Sequence, residues 1–263
     1  MLMPHHQQTV DRLTAHFKAD PAFLALIIGG STVKGLARQD SDVDFVLIAT
    51  PEGYARRVQE NDFGIVSFEF TDYEGGYVDG KVIDMAFLRD VDQRGSEPAR
   101  SAFDKAIVAF SRDPEIIDLV TRIPVYPEDS HSTKIKRFYA QVQAHQWFVG
   151  EAEKRGDTYL MMHAASQLVL FGGRMILAHN RMLYPFHKWF MTMLRRAPDK
   201  PDNFMTLIDE LLTQPNKADA DAFCECLFNF AEWDIPKEGW GVRFMQDSEW
   251  TWRNGDGAPI ADW

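Results

Sequence analysis

Cysteine, uninterrupted apolar sequence and positive charge are all scarce in this chain. There are two cysteines in 263 residues, Cys224 and Cys226. They lie in a helical pattern with Phe223, Leu227 and Phe230, a spacing poorly suited to a disulfide. Two thiols alone do not complete a zinc site either. They are expected to be buried and inert, in keeping with a reducing compartment, the cytoplasm. The longest apolar stretch, residues 159–170, is interrupted by His163, Ser166 and Gln167. It falls short of the roughly 20 residues that cross a bilayer, so no membrane partner is expected. The first 20 residues carry His5, His6, Gln7 and Gln8 without an apolar core, so they do not read as a signal peptide. Lys and Arg number 28 against 39 Asp and Glu, a net charge of −11. That balance lacks the basic footprint of a protein whose main partner is nucleic acid, and it favours cationic small molecules. Walker A, His-Glu-x-x-His and paired Cys-x-x-Cys patterns are also missing. The eight histidines are scattered, and His163, on an apolar helix, reads as a core residue. No sequence feature sets an oligomeric state.

What is present divides at about residue 123. Before it, strand-like and helix-like segments alternate. Residues 9–17 predict a helix through Val10, Leu13 and Phe17, and residues 23–28 a buried strand ending at Gly29-Gly30. Residues 31–36 predict a short helix, residues 43–49 a second strand, and residues 51–60 a helix opened by proline. Residues 63–71 and 81–88 alternate with period two around a Gly-containing turn and predict two strands. Residues 101–110 fit a helix or a last strand. Pro124, Pro127, Glu128, Asp129 and Ser130 read as a linker. Beyond it, Ile135-Phe138-Tyr139-Val142, Phe186-Trp189-Phe190-Met193 and Phe204-Leu207-Ile208-Leu211 repeat at helical spacing. Residues 159–177 are apolar on most sides, as the central helix of a bundle would be. The Trp- and Gly-rich stretch after Trp233 reads as irregular.

Three features of the first part carry chemistry. Gly29-Gly30-Ser31 ends a strand and opens a helix, which permits close backbone approach and presents free N–H groups to phosphate. Asp42 and Asp44 are two apart at the start of the second strand, so their side chains share one face. Carboxylates so close repel unless a cation lies between them, and hard oxygen donors suit Mg²⁺. Asp44 also sits within Val43-Phe45-Val46-Leu47-Ile48, where an unpaired charge is costly. Asp84 is a third carboxylate in an apolar strand, Val82-Ile83-Asp84-Met85-Ala86. Glu69 shares a strand face with Ser67 and Thr71; a turn at Gly75-Gly76 would set Ser67 opposite Asp84 and Glu69 diagonal to it, as a spare base or metal-site neighbour, while a half-exposed strand glutamate is the expected reading.

In order and spacing, Gly29-Gly30-Ser31, Asp42, Asp44 and a later strand acid resemble the DNA polymerase beta-like nucleotidyltransferase superfamily. The resemblance implies that Asp42, Asp44 and Asp84 are catalytic and hold two Mg²⁺ ions. It implies that Gly30 and Ser31 cradle the phosphates of a nucleoside triphosphate, ATP being the first expectation, with Lys34 as a further phosphate contact. The fold expected is α+β: a small mixed sheet flanked by helices over residues 1–125, then an all-α bundle over residues 126–263. That arrangement resembles the antibiotic nucleotidyltransferases that modify aminoglycosides or lincosamides, and implies transfer of a nucleoside monophosphate to a hydroxyl of a small molecule. A protein or tRNA acceptor, as in toxin–antitoxin nucleotidyltransferases, and a non-catalytic partner-binding module are the alternatives. In the helical part, Lys188 lies in a first helical turn, where the dipole disfavours a cation, and is a candidate nucleotide contact. Arg174 in the central helix is a second candidate.

Overall fold

The computed structural model describes residues 2–254, and the chain divides into two units, Met1–Val125 and Tyr126–Trp263. The first is built on a five-stranded mixed sheet. Helix α1 (Pro4–Ala19) begins with proline at its first turn, where a missing N–H costs nothing. It buries His6, Thr9, Val10, Leu13 and Phe17 along one stripe. Strand β1 (Phe23–Ile28) follows, then α2 (Gly30–Lys34), β2 (Val43–Ala49) and α3 (Pro51–Glu60). The Thr50 hydroxyl caps α3 by accepting the Gly53 N–H at 3.1 Å. Strands β3 (Gly64–Ser67) and β4 (Val78–Ile83) come next, then helices α4 (Met85–Arg94) and α5 (Glu97–Ala102), strand β5 (Ile107–Ser111) and helix α6 (Pro114–Arg122). Residues 101–110 thus contain the end of a helix and the start of a strand.

The strand order is β3-β4-β2-β1-β5. β1 runs antiparallel to β2 and β5, β3 antiparallel to β4, and β2 parallel to β4. Alternation splits each central strand between two cores. Leu26, Ile28, Phe45, Leu47, Val78 and Val82 pack with Val10, Leu13 and Phe17 of α1. Ala25, Ile27, Ile48 and Ile83 pack with Leu88, Val91, Ile116, Leu119 and Ile123 of the other layer. Helices therefore cover both faces, as the apolar runs of β1 and β2 require.

Two expectations about this unit need correction. The strand anticipated over residues 81–88 begins at Val78 and stops at Ile83, and α4 starts at Met85. Gly80 lies inside β4 because the Phe45 ring occupies the space above it. A Cβ there would come within 2.1 Å of Phe45 Cζ. β3 is an edge strand of four residues, and its register sets Ser67 opposite Val78, not Asp84. Glu69 lies beyond β3 and is exposed.

The second unit is helical among its described residues. It comprises α7 (His131–Arg155), α8 (Thr158–His179), α9 (His187–Arg196), α10 (Phe204–Thr213), α11 (Lys217–Phe230) and α12 (Trp240–Phe244). A π-helical turn, Met245–Glu249, and a 3₁₀ turn, Thr251–Asn254, follow α12. The stretch after Trp233 is thus partly helical as far as residue 254, and the remainder lies outside the described residues. α8 continues past Leu170 to His179, so the apolar segment is longer than the interrupted run suggests. By length and composition it could cross a membrane, with half of its most apolar window buried in the protein. Ala164, Leu168, Gly172, Met175 and Ile176 face the core shared with α7, α10 and α11. Gly172 and Gly173 admit neighbouring rings: a Cβ would meet Phe223 Cζ at 2.5 Å and Phe190 Cζ at 2.4 Å, respectively. The core histidine of this unit is His145, 6% exposed, whereas His163 is exposed. Cys224 is buried and its thiol is pushed up by desolvation; Cys226 is half-buried, and both are free.

Candidate active site

Asp44 on β2 and Asp79 on β4 are direct Cα partners across the parallel pair. Asp42, two residues before Asp44, shares their face by alternation. One carboxylate oxygen from each of Asp42, Asp44 and Asp79 falls within 4.8 Å of the others, and all three side chains are half-buried. At an effective dielectric of about 20, unit charges at that separation repel by about 3 kcal/mol per pair. A divalent cation bound by hard oxygen donors relieves that repulsion.

The glycine turn closes on this cluster. The Gly29 N–H donates to the Asp44 carbonyl at 3.0 Å. Gly30 has φ +70°, and a Cβ there would stand 1.8 Å from Asp44 Oδ2. Both the left-handed backbone and the carboxylate require glycine at this position. Ser31 is buried just beyond, and the Thr32 hydroxyl ties the turn by donating to the Gly29 carbonyl at 3.1 Å.

The loop before Asp42 is held from several sides. The Ser41 carbonyl accepts from the Tyr73 hydroxyl at 2.8 Å and pairs with His6 Nε2 at 3.1 Å. His5 Nε2 reaches the Gln39 carbonyl at 3.1 Å. Asp42, as a neighbouring acceptor and negative charge, pushes the Tyr77 phenol upward from its ordinary range. Burial, aided by the neighbouring His5, lowers His6.

Other candidates are placed differently. Asp84 is not in the cluster. It follows the last residue of β4, and its carboxylate accepts the Phe87 N–H at 2.7 Å as the N-cap of α4. Five strand residues at about 3.3 Å each set it about 16 Å from Asp79 along the strand. Asp79 takes the third position instead. Asp79 lies in the segment between residues 71 and 81 that reads from sequence as a Gly-containing turn, which hides it. The available signal was the alternation of Val78, Gly80 and Val82 around it. Lys34 turns to the end of α5, where its ammonium donates to the Ser101 carbonyl. Burial lowers its pKa, with Asp104 and Asp44 opposing.

In the second unit, Lys188 is exposed in the first turn of α9, with its ammonium 5.7 Å from the Trp189 ring centroid. The Arg174 guanidinium lies over the Phe138 and Tyr184 rings at 4.3 and 4.7 Å.

Residues 17–137 match the nucleotidyltransferase domain family, and residues 102–190 match a domain of unknown function, DUF4037. The chain is similar to a nucleotidyltransferase-like protein from Exiguobacterium sibiricum whose crystal structure is known. The two are 14% identical over 85% of this chain and 75% of that one, with a TM-score of 0.46. None of the curated proteins matches. The family match takes in every strand of the sheet and both loops that lead to the acids. The matched residues contain the whole sheet, and that unit is similar to a nucleotidyltransferase domain.

Proposed function

We propose that the protein transfers a nucleoside monophosphate from a nucleoside triphosphate, ATP first among them, to a hydroxyl of a small molecule. The observation that carries this reading is the convergence of Asp42, Asp44 and Asp79 against Gly30. Their donor set fits Mg²⁺: three carboxylates, partly exposed, with no nitrogen or sulfur ligand in the group. Asp42 and Asp44 would hold the ion on the triphosphate side, and Asp79 would complete a second position. Bound there, the metal would supply charge neutralisation to an in-line displacement.

The chain's own residues account for the remainder. Gly30, lacking a side chain, leaves room beside Asp44 for a metal-bound triphosphate, with Ser31 next to it. Asp79, grouped with Asp42 and Asp44 where Asp84 is not, is the candidate to take the acceptor proton. In the transfer, the acceptor oxygen bonds to the α-phosphorus, the bond from that phosphorus to the bridging oxygen breaks, pyrophosphate leaves, and the hydroxyl proton passes to Asp79. A polycationic, aminoglycoside-like compound is the first acceptor to try, supported by the net charge of −11.

Calorimetric titration of the full-length protein with ATP and Mg²⁺ tests the reading. Wild type should bind, Asp42→Asn and Asp79→Asn should each weaken binding at least about tenfold, and EDTA should abolish it. Metal-independent ATP binding, or wild-type affinity in both variants, would sink it. A mass increase on an acceptor incubated with the enzyme and mixed nucleoside triphosphates would identify the second substrate.

A further inference from the structure

The three acids are not held alike. Asp44 and Asp79 are strand residues, paired across β2 and β4, and Asp44 is also enclosed by Gly30. Asp42 precedes the first residue of β2. Strand pairing that fixes its neighbours does not reach it, and repulsion from the other two acids pushes it outward.

Groups distant in sequence oppose that push. Ser41 is fully engaged. Its N–H donates to the Arg38 carbonyl at 3.2 Å and its hydroxyl accepts the Arg38 N–H at 2.8 Å. Its carbonyl takes the Tyr73 hydroxyl and His6 Nε2. Tyr77 stands next to this point, its carbonyl accepting the Val43 N–H at 3.1 Å, and Asp42 raises its phenol. The His6 ring lies 4.2 Å from that of His5 and 5.3 Å from that of Tyr73, so the donors are packed in place. Donation to Ser41 puts the His6 proton on Nε2. Its Nδ1 is buried and has no partner among the described residues. A buried polar atom left in this way invites an explanation beyond stability.

We propose that His6, Tyr73 and Tyr77 are positioning residues that aim the Asp42 carboxylate at the metal, which makes the first turn of α1 part of the active site. The proposal rests on the metal-binding reading given above, and the test separates the two. Full-length protein is titrated with Mn²⁺ alone, free ion being read by electron paramagnetic resonance, and thermal unfolding is recorded in parallel. Tyr73→Phe and Tyr77→Phe remove only a hydroxyl and keep the ring packing. Each should raise the Mn²⁺ Kd about three- to tenfold with the thermal midpoint unchanged. His6→Gln, whose amide nitrogen stands in for Nε2, should keep the wild-type Kd, and His6→Leu should not. Both tyrosine variants binding Mn²⁺ as tightly as wild type, with Asp42→Asn weakened, overturn the clamp and leave the metal site standing. So does a loss of thermal stability without a change in Kd. A wild-type protein that binds no Mn²⁺ overturns both. The tyrosine variants decide the matter even where His6→Leu does not fold.

Discussion

Lowering the pH from 7 to 5 should cost the helical unit about 2 kcal/mol of stability through one side chain, His145. The ring is 6% exposed and stacks against Phe171 at 5.9 Å with a 6° interplanar angle. Its Nδ1 is buried without a hydrogen-bond partner among the described residues. Burial, with His163 as a like charge nearby, pushes its pKa from 6.5 down to about 4. The folded protein therefore keeps His145 neutral where the unfolded chain already binds a proton. Stability from this group is fully present above pH 6.5 and falls as pH drops toward about 4, where the folded state also takes up the proton. Across the whole window the difference amounts to about 3 kcal/mol. The sequence supplies a selective reporter. All seven tryptophans, Trp147, Trp189, Trp233, Trp240, Trp250, Trp252 and Trp263, lie in the second unit. Urea unfolding followed by tryptophan fluorescence at pH 5, 6 and 7 thus reads that unit. Comparison with His145→Phe removes the contributions of carboxylates and of His131. The variant should lose about 2 kcal/mol less than wild type between pH 7 and pH 5. Parallel pH profiles for the two proteins would refute the assignment.

Gly30→Ala places a methyl carbon 1.8 Å from Asp44 Oδ2 at a backbone φ of +70°. It should weaken Mg²⁺-dependent ATP binding at least about tenfold, and wild-type affinity in that variant, by calorimetry, would contradict the geometry. Asp84→Ala removes the cap of α4, so chemical denaturation should show a loss of about 1 kcal/mol, while ATP affinity stays at the wild-type value. Gly173→Ala drives a Cβ to 2.4 Å from Phe190 Cζ and 3.0 Å from Leu194 Cδ2. Overpacking should cost about 1–3 kcal/mol, visible as an earlier tryptophan fluorescence transition.

The elements with unambiguous periodicity were legible from residues alone. β1, β2, α3 and the glycine turn fall where their apolar alternation, prolines and glycines put them, and so do Asp42 and Asp44. The errors share a cause: local pattern yields to tertiary packing. Gly80 belongs in a strand only because Phe45 fills the room a side chain would take, so the strand was begun too late. Its end was placed too late because Asp84 reads as a buried acid until the helix it caps is seen. Those two displacements exchanged Asp79 for Asp84. His145 escaped notice because a histidine within a long amphipathic helix announces nothing about which face it occupies. His163, in a more apolar setting, turned out to be exposed. Contacts such as Tyr73 and His6 on Ser41 join residues 32 and 35 positions apart, a separation on which periodicity is silent.

The parallel pairing of β2 with β4 divides the domain into parts that tolerate length change and parts that do not. Everything between Ala49 and Val78 loops out and returns to the same register. Insertions in the polar stretches around α3 would leave Asp44 and Asp79 side by side. A single residue removed within β4 has the opposite effect. It carries every following side chain to the other face, so Val82 and Ile83 exchange layers, or the strand slips and Asp79 turns toward α1. Loop length on the α3 side of the edge strand is free to drift, whereas the loop that carries Tyr73 and Tyr77 is tied to Ser41 and the four positions from Asp79 to Val82 admit no frameshift of the sheet that spares both the core and the acids.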